Sequence, residues 1–260
     1  MRIKQSICYP LFNPKDVSLE ELFRVASKLG YKAAELWKRG DDFEEVAALA
    51  KKHGLVIAST MGHMSLEDGL NKRSNHERIE EELRTSIAVA VKHGIPGVIC
   101  FSGNRQADQS EEEATETVAE GLRKVAPYAE KKGVNLNLEL LNSKVNHIGY
   151  QCDHTKWGVA VCEKVGSPRV KLLYDIYHMQ IMEGDIIRTI RENIQWIGHF
   201  HTAGNPGRND MDDTQELNYA GICRAIAETD YPYYLGHEFK PKGDPIEALR
   251  QTFEVCDQGA

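Results

Sequence analysis

Four acidic or imidazole side chains close four short apolar runs, and their types suit them to hold a divalent cation. Asp175 lies in Tyr174-Asp175-Ile176-Tyr177-His178, and Glu139 in Leu138-Glu139-Leu140-Leu141-Asn142. His201 ends His199-Phe200-His201, and Glu238 lies in Gly236-His237-Glu238-Phe239. The gaps between these segments are roughly 25 to 40 residues, about one strand–helix unit each. Side chains at the ends of successive strands meet only where those strands are neighbours in a closed or tightly curved parallel sheet. Three carboxylates and one imidazole make a hard, oxygen-rich donor set. It suits Mn²⁺ or Mg²⁺, with Co²⁺ also accommodated, better than a structural zinc. Four protein ligands leave positions for a substrate that chelates through two oxygens. Without a cation, the three carboxylates would repel one another.

The elements that must position these groups alternate regularly. Strand-like runs fall at 3–9, 33–37, 55–60, 97–101, 134–140, 170–175, within 194–202, and at 233–239. Helical patterns fall between and after them, at about 19–29, 43–53, 74–93, 111–132, 159–165, 185–192, 219–228 and 246–256. Ser18 before Leu19-Glu20-Glu21 is a helix start with a cap and a glutamate at its third position. Gly30, Gly54, Gly94 and Gly133 are helix stops. Short apolar strands alternating with amphipathic helices predict a parallel sheet, and about eight units in 260 residues predict a (β/α)₈ TIM barrel spanning 1–260 as one domain. A doubly wound open sheet is the alternative, but the first strand–helix turn carries no GxGxxG.

Strand parity then selects among neighbouring candidates, because alternate side chains face opposite ways. Leu136, Leu138 and Leu140 share a face suited to a helix layer, which turns Asn135, Asn137 and Glu139 inward. His201 shares its face with His199 and lies nearer the mouth, so His199 is better suited to the core or to supporting a ligand. Glu238 shares its face with Gly236, which demotes His237. The strand of Asp175 is less regular, since Lys171 and Leu173 share its face. Lys240 has the parity of Glu238 and is either an anion anchor or a solvated loop lysine. His63 and Trp37 follow the third and second strands and either wall a substrate pocket or pack in the core. Glu35, at the end of the second strand, fits a structural role, and the run Glu111-Glu112-Glu113 fits a solvated helix start.

Composition narrows the function classes. The hydrophobic fraction is 41% and the charged fraction 27%, values of an ordinary globular chain. A net charge of −7 and a pI near 5.8 argue against nucleic-acid contact, which needs a basic stripe. One or two placed cations can still bind a small anionic substrate. The six cysteines are scattered, with no CxxC pair, so neither a thiolate zinc site nor a disulfide framework is expected. The chain enters its first strand without an apolar leader and has no run long enough to span a membrane, which predicts a cytoplasmic enzyme without a membrane partner.

Glu-Leu-Leu-Asn at 139–142, Asp-Ile-Tyr-His-Met-Gln-Ile-Met-Glu-Gly-Asp at 175–185, Asn-Pro-Gly-Arg at 205–208 and Glu-Leu-Asn-Tyr at 216–219 resemble the hydroxypyruvate isomerase family. That family belongs to the xylose isomerase-like barrel superfamily. The likeness is specific over 134–245 and at fold level over the first half. It implies one divalent metal held by Glu139, Asp175, His201 and Glu238. It also implies a proton-transferring pair, Glu139 and Glu238, and substrate contacts at His178 and Arg208. His63 and Lys240 complete the candidate substrate contacts. The expected reaction interconverts hydroxypyruvate and tartronate semialdehyde, or a close keto acid or ketose, through an enediolate. A homodimer or homotetramer is a family-level expectation. One departure is His201, where characterised hydroxypyruvate isomerases tend to have Gln and the related ketose epimerases have His. Alternatives on the same scaffold are a ketose 3-epimerase and an inosose dehydratase-like lyase. A repair endonuclease would need more histidines and a basic groove. A non-catalytic sugar- or metal-binding barrel is the remaining reading.

Overall fold

Eight parallel strands form one sheet in the order β3-β2-β1-β8-β7-β6-β5-β4. The computed structural model describes residues 3–12 and 17–259. The strands are β1 (Lys4–Cys8), β2 (Ala33–Glu35), β3 (Val56–Ile57), β4 (Gly97–Cys100), β5 (Asn135–Leu140), β6 (Val170–Asp175), β7 (Ile197–Thr202) and β8 (Tyr234–His237). The helices are α1 (Tyr9–Phe12), α2 (Leu19–Leu29), α3 (Phe43–Lys52), α4 (His76–His93), α5 (Glu111–Lys132), α6 (Thr155–Val165), α7 (Ile176–Met182), α8 (Ile186–Asn193), α9 (Tyr219–Ala227) and α10 (Pro245–Cys256). The sheet curls until its two ends meet. Ile99 donates its N–H to Thr60 O at 2.9 Å, and Gly62 donates to Ile99 O at 2.8 Å, next to a parallel Met61–Ile99 bridge. The architecture is the (β/α)₈ barrel that the alternation predicts.

Local signals set the helices. Ser18 caps α2 by accepting from Glu21 N, and Ser110 and Glu113 form a reciprocal capping box on α5. Outward-facing side chains of the strands build the layer under the helices. Leu136, Leu138, Leu140 and Leu172 are fully buried, and Gly158 lets α6 pack directly on Leu140 and Leu172.

Two short helices depart from the sequence expectation. The first strand ends at Cys8 and Tyr9–Phe12 is helical, since Pro10 carries a φ suited to a first helical turn. The stretch after Asp175 is helix α7 rather than loop. Asp175 is both the last residue of β6 and the cap of that helix, accepting from His178 N at 3.1 Å. His178 is therefore a buried helical residue.

The barrel interior is polar at two levels, and glycines make room for it. Gly198 is the extra residue of a bulge in β7, where the register with β6 slips between Leu172–Ile197 and Leu173–His199. A Cβ on Gly198 would stand 2.2 Å from Asn137 Oδ1. Leu173 registers with Glu139 on one side and His199 on the other, an apolar residue one inward step below Asp175. Lys171 sends its Nζ out to Gln195 O, 2.7 Å away. Gly198→Ala should cost about 1–3 kcal/mol by overpacking. Asn137→Ser in the same chain should recover a large part of that loss. Equilibrium urea unfolding of the single and double variants measures both, and simple additivity would show that the two side chains do not compete for this space.

Candidate active site

The four side chains proposed as ligands, three of them favoured by strand parity, converge at the C-terminal mouth of the barrel. Glu139, Asp175, His201 and Glu238 each offer a ligand atom, and these atoms lie within 4.8 Å of one another. All four are buried. Asp175 registers directly with His201, and His201 with Gly236, which places Glu238 one inward-facing step further toward the mouth. His201 Nδ1 stands 3.3 Å from Glu238 Oε2 and 3.7 Å from Glu139 Oε1, yet makes no hydrogen bond of acceptable geometry. Two like charges 4.8 Å apart repel by roughly 3–4 kcal/mol at an effective dielectric constant of about 20. Three buried carboxylates therefore need positive charge among them.

The chain supplies part of it. Arg208 Nη2 donates to Glu238 Oε2 at 2.5 Å and lies 4.0 Å from Asp175 Oδ2. Its guanidinium also sits over the Tyr177 ring. The arginine holds a left-handed φ of 56°, uncommon for a side chain of this size, directly after Gly207. Trp37 Nε1 donates to the other oxygen of Glu238. Burial would raise the Glu238 carboxyl, but Arg208 and His201 outweigh it and hold it well below the usual range. Burial pushes Glu139 upward against the pull of His201, and pushes Asp175 upward against Arg208. Burial disfavours a charged His201, but Glu238 and Glu35 prevail and raise it well above an ordinary imidazole. The two glutamates are thus pushed in opposite directions by their surroundings.

Sequence reasoning undervalued two residues here. Glu35 is fully buried, its Oε2 accepting from His199 Nε2 at 2.7 Å and its Oε1 3.3 Å from His201 Nε2. Its carboxyl falls to about 2, because His199 and His201 overcome the cost of burial. The parity of Cys8 and Glu35, which are in register, could have flagged both as inward-facing. His147, in the loop after β5, lines the mouth and packs its ring 5.3 Å from that of His178. The loop carrying it turns on Asn142, whose Oδ1 accepts from Val145 N and Asn146 N. Asn142 Nδ2 also meets His178 Nδ1 at 2.5 Å, which makes that nitrogen the acceptor. His178 Nε2 is then left as a donor, 3.5 Å from Asp175 Oδ2 and without a hydrogen-bond partner among the described residues. Burial and Arg208 keep His178 neutral, well below its ordinary pKa.

A cleft of about 200 Å³ opens over this floor. Trp37, Met61, Leu66, Ile99, Phe101 and Leu141 form its apolar wall, and Glu139, His147, His201, Arg208 and Glu238 its polar side. Of the candidate contacts only Arg208 lines this cleft; His178 is fully buried beside Asp175, and two others lie elsewhere. His63 is buried under a separate groove beside Arg39 and Arg78, its Nε2 accepting from Phe101 N at 2.9 Å. That bond ties the loop after β3 to the segment after β4 and commits the imidazole to the core. Lys240 is exposed and absent from the cleft lining; its backbone, not its side chain, pairs with Arg208 O and Asn209. Being two residues past Glu238, it has left the sheet, and strand parity no longer aims it. His237 faces outward between Gln5 and Thr202.

Barrel, mouth and acidic floor define an enzyme of the (β/α)₈ class. The chain belongs to the xylose isomerase-like TIM barrel family, whose model matches residues 23–258. Its relatives are isomerases by name. The hydroxypyruvate isomerase of Escherichia coli is 33% identical over 178 residues, 66% of this chain and 67% of that one. A human protein provisionally named hydroxypyruvate isomerase is 29% identical over 248 residues, 91% of this chain and 89% of that one. Among solved structures, one titled AP endonuclease, family 2, from Brucella melitensis superposes with a TM-score of 0.82 at 22% identity, covering 96% of this chain and 97% of that one. This likeness concerns the fold. Among the described residues no helix is long and apolar enough to cross a membrane.

The placement of His63 has a measurable consequence. Burial lowers its pKa from 6.5 to about 4. The unfolded chain therefore takes up the proton first, so stability is full above pH 6.5 and declines as pH falls toward 4. Two and a half pKa units correspond to about 3 kcal/mol in all, of which about 2 kcal/mol is lost by pH 5. His63→Gln keeps an acceptor for Phe101 N and removes the titration. Urea midpoints at pH 7 and pH 5 should fall less for that variant than for wild type, and equal falls would contradict the assignment.

Proposed function

We propose that this protein is a divalent-metal-dependent isomerase that interconverts hydroxypyruvate and tartronate semialdehyde, or a closely related keto acid. The observation that carries the reading is the pair Glu139 and Glu238. They flank His201 Nδ1 on the floor of a small cleft, at 3.7 and 3.3 Å. The donor set fits Mn²⁺ or Mg²⁺ on the evidence of its three convergent carboxylates and of His201 Nδ1, buried and without a partner. Glu139, Asp175, His201 and Glu238 would hold the ion. When bound, the ion supplies positive charge beside the carbonyl and hydroxyl oxygens of the substrate, where negative charge develops.

The remaining work falls to the chain. One glutamate removes the proton next to the carbonyl and the other returns one to the neighbouring carbon, so that an enediolate of the substrate lies between them. Arg208 and Trp37 both donate to Glu238, whereas Glu139 faces only His201; this difference in surroundings supports a division of roles. His178 Nε2–H donates toward a substrate oxygen, with its tautomer set by Asn142. Arg208 pins a carboxylate or hydroxyl from above Glu238. The apolar wall limits water at the reacting carbons. A ketose 3-epimerase is the second reading. His201 favours it, since hydroxypyruvate isomerases tend to carry Gln there, and the same proton pair would act at C3.

Incubation in D₂O with Mn²⁺ or Mg²⁺ should place deuterium on the carbon beside the carbonyl, read by proton NMR. Glu139→Gln and Glu238→Gln should each slow exchange by about 10²-fold or more. Full retention of the substrate hydrogen during turnover would point to a hydride shift and overturn the mechanism. A panel of hydroxypyruvate, longer 2-oxo acids and ketoses separates the two readings, because inversion at C3 marks the epimerase. Chelation with EDTA should abolish turnover and Mn²⁺ should restore it. An ion at 100 times its Kd should add about 2.7 kcal/mol, visible as a rise in Tm of roughly 5–10 °C. Undiminished turnover after exhaustive chelation would remove the metal from the proposal.

A further inference from the structure

We propose that Glu35 is the positioning residue that aims His201 Nδ1 at the carboxylate cluster, and that Gly236 exists to let it do so. This inference rests on the proposed metal site. Glu35 ends β2, while His201 lies in β7, with β1 and β8 between them. To reach His201 the carboxylate must cross the barrel interior in front of both intervening strands. The residues of those strands that stand in register with His201 are Gly236 and then Ser6. One has no side chain and the other a small one. A Cβ on Gly236 would lie 1.9 Å from Glu35 Oε1 and 2.7 Å from its carboxyl carbon, so any larger residue would displace the carboxylate.

Across that gap Glu35 holds two imidazoles. Oε2 takes the His199 Nε2 hydrogen bond at 2.7 Å, which anchors the carboxylate. Oε1 faces His201 Nε2 at ion-pair distance, 3.3 Å, and makes no hydrogen bond among the described residues. The two imidazoles are packed edge to face, 5.1 Å apart. With Nε2 turned to the Glu35 carboxylate, His201 turns Nδ1 toward Glu139 and Glu238. An imidazole torsion about its second side-chain bond is broad and nearly two-fold, so the ring needs such a partner to keep one orientation. A carboxylate on the far nitrogen of a liganding histidine fixes its tautomer and orientation. Gly236 and Glu238 alternate on one strand face, so the same strand clears the path for the support and supplies a member of the cluster.

The test compares wild type with Glu35→Ala, Glu35→Gln and Gly236→Ala, with Gly198→Ala as a control that crowds the barrel at Asn137. Mn²⁺ binding is read from the EPR signal of the free ion, and imidazole ligation from the ¹⁴N modulation of bound Mn²⁺ in pulsed EPR. Glu35→Ala and Gly236→Ala should weaken Mn²⁺ binding about 10- to 100-fold and diminish the nitrogen modulation. Glu35→Gln keeps an acceptor of the same length and should lose less. Gly198→Ala should leave both readings within about twofold of wild type, which separates positioning from general destabilisation of the barrel. If Glu35→Ala does not fold, Gly236→Ala and Glu35→Gln carry the comparison. Folded variants that bind Mn²⁺ as wild type does, with the nitrogen signal intact, would overturn the inference alone. Wild type without Mn²⁺ binding would overturn the metal site, and the inference with it.

Discussion

Three carboxylates buried within 4.8 Å of one imidazole are the constraint on which the rest of this molecule turns. No packing of apolar groups can make such a cluster stable, because each pair of charges repels by roughly 3–4 kcal/mol. The surrounding residues answer that repulsion. Arg208 approaches from the loop after β7 and binds Glu238, Trp37 donates to the same carboxylate, and His201 sits at the centre with Glu35 behind it. A site that so strongly favours positive charge is suited to a divalent ion. It is equally suited to chemistry in which negative charge accumulates on a substrate.

Such a cluster also dictates how the barrel is filled. A barrel of this kind is ordinarily plugged by branched apolar side chains. Here Leu173, one inward step below Asp175 and in register with Glu139 and His199, plays that part, while Asn137 and Glu35 take up polar positions. These side chains fit because residues 198 and 236 are glycines. The cost is accepted in the lower barrel so that the upper tier can be polar, and the apolar contacts move outward to the leucines under the helices.

Strand and helix periodicities made the architecture legible. Helices α2 and α5 and strand β6 fall on the expected residues, and the other expected elements differ at their ends by a few residues, most at the start of α6 and in β3. Helix α7 was not legible, because Ile176–Met182 is apolar on nearly every side. It lacks a stripe, and its start depends on Asp175 being a cap and a strand end at once. The convergence of Glu139, Asp175, His201 and Glu238 was legible, since parity and strand ends are local properties. His63 and Lys240 show the limit of that logic. One is the acceptor of a bond that joins the loop after β3 to the segment after β4, and the other lies beyond the residues that parity governs.

Sequence alone determined which side chains face the barrel axis and which of them lie at its mouth, because a strand alternates its faces and a helix stops at its glycine. Only the tertiary structure decided what lies across the axis from each of them. Glu35 and His201 are more than 160 residues apart, separated by two strands in the sheet, and meet through a gap that neither residue creates. His147 reaches the mouth because Asn142 folds its loop back, and His178 turns its Nε2 toward Asp175 because the same Asn142 meets its other nitrogen. Contacts of this kind depend on closure of the sheet, which fixes distances between strands that share no local sequence.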